Sequence, residues 1–418
     1  MKYFFILGNN PTLSIAEITS VLSSSSIEFH IVGLSSDFLI LETKEKLDAF
    51  ALQNRLGGTI KIGTIINEAK DFKLETAIKI LEKYHRPHFG FSFYGTSNSF
   101  TSQVKKWAME IKNQLKKKNI SSRWVVSKEK VLSSVIVLKN KLLTEGVEFV
   151  FLTDKDKSYF GQTMSCQQFE EYGQRDFGRP ARNIEEGMLP PKLAKIMINL
   201  AQTSKEKTIL DPFCGSGTIL QEAVLLGYKN VIGCDISEGA VEATKANLNW
   251  FIKKLATAET RNDSESQRNS EVQSLQENIS VYQSDVRSLS QKISPNSIDA
   301  IITEPYLGPV KITSCQLSIT NLLKELSDLY LKAFSEFKKI LKPSGRVVMI
   351  FPVFKINGQL YFLPILDELK KSGWQIVNPI PPELRKNPTI KITVRNSIIY
   401  SRPNQQVLRE IFVFIRNP

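Results

Sequence analysis

An apolar run, Thr208-Ile209-Leu210, ends on Asp211 and turns through Pro212-Phe213-Cys214-Gly215-Ser216-Gly217-Thr218 into a second apolar run starting at Ile219. Strand, glycine-rich turn and helix in that order form a cradle for a nucleotide-like ligand. Gly215 and Gly217 permit backbone angles and close approaches that other residues resist, and the helix that follows offers free N–H groups to a carboxylate or phosphate. The last glycine of the dinucleotide fingerprint is missing, as is the Gly-Lys-Ser/Thr pair of a P-loop. Ordinary dehydrogenase and NTPase readings lose weight. Cys214 lies beside the glycines, but no histidine accompanies it in the sequence, so it is not read as a nucleophile.

Three further apolar runs end in acidic tips. Asn230–Cys234 ends on Asp235, followed by Ile236; in this topology a carboxylate at such a position reaches the hydroxyls of a ribose. The run from Val281 leads to Asp285 and Val286, and Ile298–Thr303 leads to Glu304-Pro305-Tyr306. One acidic tip alone usually caps a turn. Four in this order, between helical segments, predict a mostly parallel sheet whose carboxyl edge gathers them together. A final hairpin is predicted from Ser397–Tyr400 and Ile411–Ile415, and Leu341–Arg346 reads as the turn into a strand at Val347–Phe351.

The elements upstream carry the charge. The chain has 418 residues and a net charge of +13, and residues 51–141 alone hold 18 Lys/Arg against 6 Asp/Glu. Within that region Val104, Trp107, Ala108, Ile111 and Leu115 recur at helical spacing after a cap at Thr101 or Ser102, which leaves Lys105, Lys106, Lys112, Lys116 and Lys117 mostly off the apolar stripe. So uneven a distribution favours a polyphosphate partner, nucleic acid first. Phe89, Phe91 and Phe93 alternate as one face of a strand and are read as core.

The first 50 residues are predicted as a small α+β unit, with a strand at Tyr3–Gly8 and capping-box spacing in Ser14-Ile15-Ala16-Glu17 before a short helix closed by Ser23–Ser26. Strands are expected at Thr59–Ile66, Phe89–Tyr94, Trp124–Val126, Val135–Leu138 and Glu148–Leu152. A polar connector is expected at 156–185, and a flexible insertion at about 257–280. The four cysteines and three histidines lack metal-ligand spacing, so neither a metal nor a disulfide framework is expected. No apolar run reaches the length of a membrane span, and a cytoplasmic location is expected.

With Asp211–Thr218, Val231–Ser237, Glu186-Gly187-Met188-Leu189-Pro190-Pro191-Lys192-Leu193-Ala194 and the N-terminal Leu7-Gly8 and Leu13–Ile18 in view, the C-terminal half resembles S-adenosylmethionine-dependent class I methyltransferases of the amino-methylating branch. The whole chain resembles the archaeal and eukaryotic tRNA guanine-N2 methyltransferases that modify guanosine 10. The resemblance implies an α/β class I methyltransferase domain at 186–418, Rossmann-like, with a mostly parallel seven-stranded sheet and a terminal antiparallel hairpin. It also implies a small N-terminal domain at 1–50 and an α+β THUMP-type RNA-binding domain at 51–155, supported by Tyr159-Phe160-Gly161-Gln162-Thr163. Asp211 and the Cys214-Gly215-Ser216-Gly217-Thr218 turn would hold the methionine end of S-adenosylmethionine, Asp235 with Ile236 its ribose, and Asp285 with Val286 its adenine. Met188-Leu189-Pro190 would close the site from the side. Its nucleic-acid partner would be tRNA, gripped by the lysines named above, and some eukaryotic relatives also use an activating protein subunit.

The family carries Asp-Pro-Pro-Tyr or Asn-Pro-Pro-Tyr where this chain has Glu304-Pro305-Tyr306-Leu307. Glu304 and the Pro305 carbonyl would accept the hydrogens of the target amine, and Tyr306 would stack on the base. DNA or ribosomal RNA amino-methylation, and RNA binding without catalysis, are the alternatives. A thiouridine synthetase, the other frequent owner of THUMP, would need a Ser-Gly-Gly-x-Asp-Ser loop that the sequence lacks.

Overall fold

The computed structural model describes the chain apart from residues 69–71, 96–102, 155–156, 183–187, 260–275, 277, 310–315 and 418. It divides into two compact units, Met1–Ile18 with Ser25–Glu171, and Thr19–Ser24 with Tyr172–Pro418.

The first unit is built on β1 (Lys2–Leu7), α1 (Pro11–Ser24), β2 (Phe29–Leu34), β3 (Phe38–Thr43), α2 (Ala49–Arg55), β4 (Thr59–Glu68), α3 (Leu74–Leu81), β5 (His88–Gly95), α4 (Val104–Lys117), β6 (Arg123–Trp124), α5 (Ser134–Lys139), β7 (Gly146–Asp154) and β8 (Lys157–Cys166). The strands form one sheet in the order β2-β3-β1-β4-β8-β7-β5-β6. Residues 1–50 and the basic region therefore share a sheet instead of forming separate domains. Aromatic side chains of the sheet, Phe89, Phe91, Phe93, Phe149, Phe151 and Phe160, pack with Ala108, Ile111 and Leu115 of α4 and Ala77, Ile78 and Leu81 of α3. The Phe89-Phe91-Phe93 stripe is thus core, as its alternation predicts.

Several local expectations give way here. Ser14 and Glu17 do not cap α1, which begins earlier: the Asn10 side chain accepts the Leu13 N–H at 3.1 Å. Both instead face inward to hold a turn, Ser14 Oγ donating to the Gly58 carbonyl at 2.6 Å and Glu17 accepting the N–H groups of Gly57 and Gly58. Val135–Leu138 is helical, with Ser133 accepting the Ile136 N–H, because a short apolar run has no period that separates helix from strand. The expected connector at 156–185 contains β8, which includes Tyr159–Thr163 and pairs with β4 and β7, and a helix, α6 (Phe169–Phe177). Thr101 and Ser102 lie outside the described residues.

The second unit continues with α6, α7 (Pro191–Leu200), β9 (Thr208–Asp211), α8 (Thr218–Leu225), β10 (Asn230–Asp235), α9 (Glu238–Glu259), β11 (Ile279–Gln283), β12 (Ile298–Thr303), α10 (Gln316–Ile340), β13 (Leu341–Ile356), β14 (Gln359–Phe362), α11 (Leu366–Lys371), β15 (Trp374–Val377), β16 (Ile398–Tyr400) and β17 (Val407–Arg416). The sheet runs β11-β10-β9-β12-β13-β17-β15, with β14 on β13 and β16 on β17. The first five are parallel, and β17 inserts antiparallel between β13 and β15. Seven strands on the main path and a β16–β17 hairpin match the expected architecture. The start of β13 absorbs Leu341–Arg346, which the sequence suggested as a turn. Of the insertion expected at 257–280, residues 257–259 continue α9 and 279–280 begin β11; most of the remainder lies outside the described residues.

Sheet order reverses between β9 and β12, and open α/β sheets bind ligands at the carboxyl ends of strands flanking such a switch. Asp211, Asp235 and Glu304 stand at or directly after the ends of β9, β10 and β12, and Asp285 two residues beyond β11.

Candidate active site

The turn after β9 has the conformation its glycines permit. Gly217 has φ +81° as the cap of α8, and a Cβ built there would meet Thr244 Cγ2 at 2.9 Å; Gly215 has φ +51°, with open space where a side chain would stand. Among the described residues no atom lies within 4 Å of a side-chain carbon built on Gly215. The Gly217 N–H bonds the Cys214 carbonyl at 2.7 Å, and Thr244 Oγ1 donates to the Gly215 carbonyl at 2.7 Å. Asn247 on α9 is fully buried and donates to the carbonyls of Ser216 and Ala181.

Asp235 braces the same turn. One oxygen accepts the Gly215 N–H and the other the Ser237 N–H, both at 3.0 Å. Each oxygen keeps a lone pair for a ligand hydroxyl. Ile236 beside it is 61% exposed, an apolar surface at the site mouth. Cys214 is buried, its N–H donating to the Cys234 carbonyl, and burial pushes its thiol well above the ordinary range. It contributes backbone to the turn, and a buried thiol held protonated is a poor nucleophile.

Asp285 is more occupied than the sequence suggests. Its carboxylate accepts from the Arg287 backbone N–H at 2.9 Å and from the guanidinium, which lowers its pKa, and it caps the 3-10 turn Val286–Gln291. The Val286 side chain packs into the core with Leu210 and Leu289, so only its backbone is left to face an adenine.

Asp211 is buried and receives Thr303 Oγ1 at 2.7 Å and the Phe213 N–H at 3.2 Å. Burial raises its pKa to about 7; the hydrogen bonds from Thr303 and Phe213 oppose the shift, and the charges of Asp235 and Glu304 add to it. The folded carboxyl thus holds a proton at pH values where the unfolded one, near 3.8, has lost it. Folded protein binds more protons between about pH 4 and 7, so this group's contribution to stability falls as pH rises through that window. Asp211→Asn is expected to raise the melting temperature at pH 8 relative to wild type and to raise it less, or not at all, at pH 5. Equal shifts at both pH values, in paired thermal melts, would contradict the assignment.

Glu304 is held from β17. Arg409 Nε donates to Glu304 Oε1 at 2.5 Å and Nη2 to Oε2 at 3.3 Å, with both side chains nearly nine-tenths buried. Burial would lower the arginine's pKa, but the Glu304 charge overrides it and the net shift is upward. Pro305 is buried, Tyr306 is 58% exposed, and the Tyr306 carbonyl accepts the hydroxyl of buried Tyr330 at 2.9 Å. An exposed ring on a fixed backbone suits stacking on a flat partner.

Sequence reading missed Arg179, placed in the expected connector. It is 3% exposed, with Nη1 donating to Thr218 at 2.7 Å and Nη2 to the Met188 sulfur at 3.2 Å. It therefore ties Met188, at the head of the Met188-Leu189-Pro190 segment, to the first residue of α8. Leu189 and Pro190 are buried, and Pro190 caps α7.

The basic candidates lie in the first unit. Lys105, Lys106, Lys112, Lys116 and Lys117 are all exposed on α4, while Ala108, Ile111 and Leu115 are buried on its other face.

A sheet of this order with a glycine turn, an acidic second tip and an acid-proline-aromatic fourth tip defines a class I methyltransferase. Family models agree: one described as RMKL-like, methyltransferase domain, matches residues 179–356, and one described as DNA methylase, of the N6/N4 type, matches 15–246. The second covers more than half of the chain, and the chain belongs to this N6/N4-type methylase family. Among curated proteins it is similar to the tRNA (guanine(10)-N2)-dimethyltransferase of Methanothermobacter thermautotrophicus, 28% identical over 58% of this chain and 66% of the relative. It is also similar to the Pyrococcus abyssi protein of the same name, 30% identical over 45% and 47%. The matches span between about half and two thirds of those relatives. The crystal structure of TrmN from Thermus thermophilus shares the fold, with a TM-score of 0.51 over 100% of both chains at 14% identity. Among the described residues no helix is long and apolar enough to cross a membrane.

Proposed function

We propose that this protein transfers a methyl group from S-adenosylmethionine to the exocyclic N2 amine of a guanosine in tRNA, at the position 10 named for its relatives. The observation that carries this reading is the placement of the glycine turn, Asp235 and Glu304-Pro305-Tyr306 on one sheet edge, with Glu304 one residue from the Thr303 hydroxyl that holds Asp211.

The cofactor supplies a methyl already activated on a sulfonium. The residues present fit it: open space above Gly215 for the methionine end, Asp235 for the ribose hydroxyls, Ile236 as an apolar surface beside them. A ring amine delocalises its lone pair, so the protein's task is to orient it and accept its hydrogens as the nitrogen becomes tetrahedral. Glu304 and the Pro305 carbonyl are the acceptors in this reading, and Tyr306 stacks on a base swung out of its stem, a movement that costs a few kcal/mol.

The first unit, in the place of a THUMP-type domain, supplies backbone contacts that offset this cost. Changing Lys105, Lys106, Lys116 and Lys117 together to Gln is expected to weaken tRNA binding and to flatten its salt dependence, each lost phosphate contact removing roughly 0.7–0.9 from the log–log slope. Filter binding at several salt concentrations checks it; an unchanged slope would assign these lysines to an ordinary solvated face.

The DNA methylase match keeps a second reading in play, amino-methylation of DNA. Radiolabelled methyl transfer to unmodified tRNA, ribosomal RNA and duplex DNA in parallel separates the two. Label in tRNA alone supports the proposal, and label in DNA with none in tRNA overturns it.

A further inference from the structure

We infer that Arg409 is a positioning residue which, acting through Glu304, makes the variant Glu-Pro-Tyr tip competent to hold the target amine; this rests on the methyl-transfer reading above. Glu304 is one methylene longer than the Asp that the related motif carries, so its carboxylate has an additional torsion to fix. Arg409 fixes it, contacting both oxygens from a strand 105 residues away. The arginine is itself anchored, because β17 pairs on both sides at this point: Arg409 lies opposite Pro352 of β13 and Tyr400 of β16. Neither partner moves freely.

The pairing also decides what Glu304 can do. A carboxylate offers about four lone-pair sites, and a side-on guanidinium takes two. One site on each oxygen remains, enough to accept hydrogens from an amine. With Arg409 beside it, Glu304 serves as an oriented acceptor in the transfer step: the N–C bond forms as the S–C bond breaks, sulfur keeps the bonding pair, and the surplus amine proton passes to solvent. Asp211, with its own donors Thr303 and Phe213, and the Tyr330 hydroxyl, donated to the Tyr306 carbonyl, complete the polar surroundings.

A double-mutant cycle in single-turnover methyl transfer tests this. Arg409→Met is expected to lower the transfer rate about 10²-fold with cofactor affinity, read by calorimetry, changed less than about threefold, and Arg409→Lys to recover most of the rate. In a Glu304→Gln background, Arg409→Met is expected to change the rate by less than about threefold, because the group it acts through is already gone. Multiplicative losses in the double variant, with both proteins melting cooperatively, would show that Arg409 does not act through Glu304 and would overturn the inference while leaving the methyl-transfer reading intact. Should Arg409→Met not fold, Arg409→Gln, which also removes the charge, and the Glu304→Gln/Arg409→Gln pair close the same cycle. A wild-type protein that methylates no nucleic acid would overturn both readings.

Discussion

Glu304→Gln is expected to lower the rate of methyl transfer by about 10²–10³-fold while leaving cofactor affinity within about a factor of three, the loss typical of removing one positioned polar group from a transition state. Gln keeps the length and one acceptor oxygen, but its amide presents hydrogens where the amine needs a second acceptor. It also leaves the buried Arg409 without its counter-charge, so a drop in melting temperature is expected alongside. The kinetic and thermal effects separate by measuring single-turnover rates well below the melting transition. An unchanged rate would remove Glu304 from the reaction and with it the placement of the acid-proline-aromatic tip.

Asp235→Ala is expected to do the reverse. The carboxylate holds Gly215 N–H and Ser237 N–H, so its loss loosens the turn and also removes the acceptor for the ribose hydroxyls. Hydrogen bonds to a charged group contribute about 1.5–3 kcal/mol each, which corresponds to roughly 10–100-fold weaker cofactor binding per bond. At saturating cofactor the transfer rate is expected to stay within about threefold of wild type, because Asp235 does not touch the acceptor nitrogen. Calorimetric titration with S-adenosylhomocysteine reads the affinity directly. Undiminished binding would place the ribose elsewhere on the sheet edge.

What the sequence makes legible follows from how local each signal is. Asp211, Gly215, Gly217 and Thr218 lie within one strand–turn–helix unit, and parallel strands put successive tips on the same edge. The order of tips therefore reads directly from the chain. The alternation at Phe89–Phe93 likewise places those rings on one buried face. Partners distant in sequence leave no such mark: Thr303 is 92 residues from Asp211, and Arg409 is 105 from Glu304. Arg179 is obscured by its polar neighbourhood, flanked as it is by Arg175 and Arg182, and its partners Thr218 and Met188 lie too far along the chain to mark it. Strand order likewise does not reveal which way a side chain turns at a tip, as at Val286, whose side chain packs into the core. Ser14 and Glu17 had the right types and spacing for a cap, but a tertiary partner, the Gly57-Gly58 turn, took them instead.

The identity of the atom that receives the methyl group separates guanine-N2 methylation in tRNA from every alternative. Purified protein, alone, is incubated with S-adenosylmethionine carrying a labelled methyl and with unmodified total tRNA, and the RNA is digested to nucleosides for mass spectrometry. The guanine-N2 assignment makes labelled N2-methylguanosine or its dimethylated form the expected product, lost in Glu304→Gln. Labelled methyladenosine or methylcytidine in its place, or no labelled nucleoside from a protein that binds the cofactor, would contradict it.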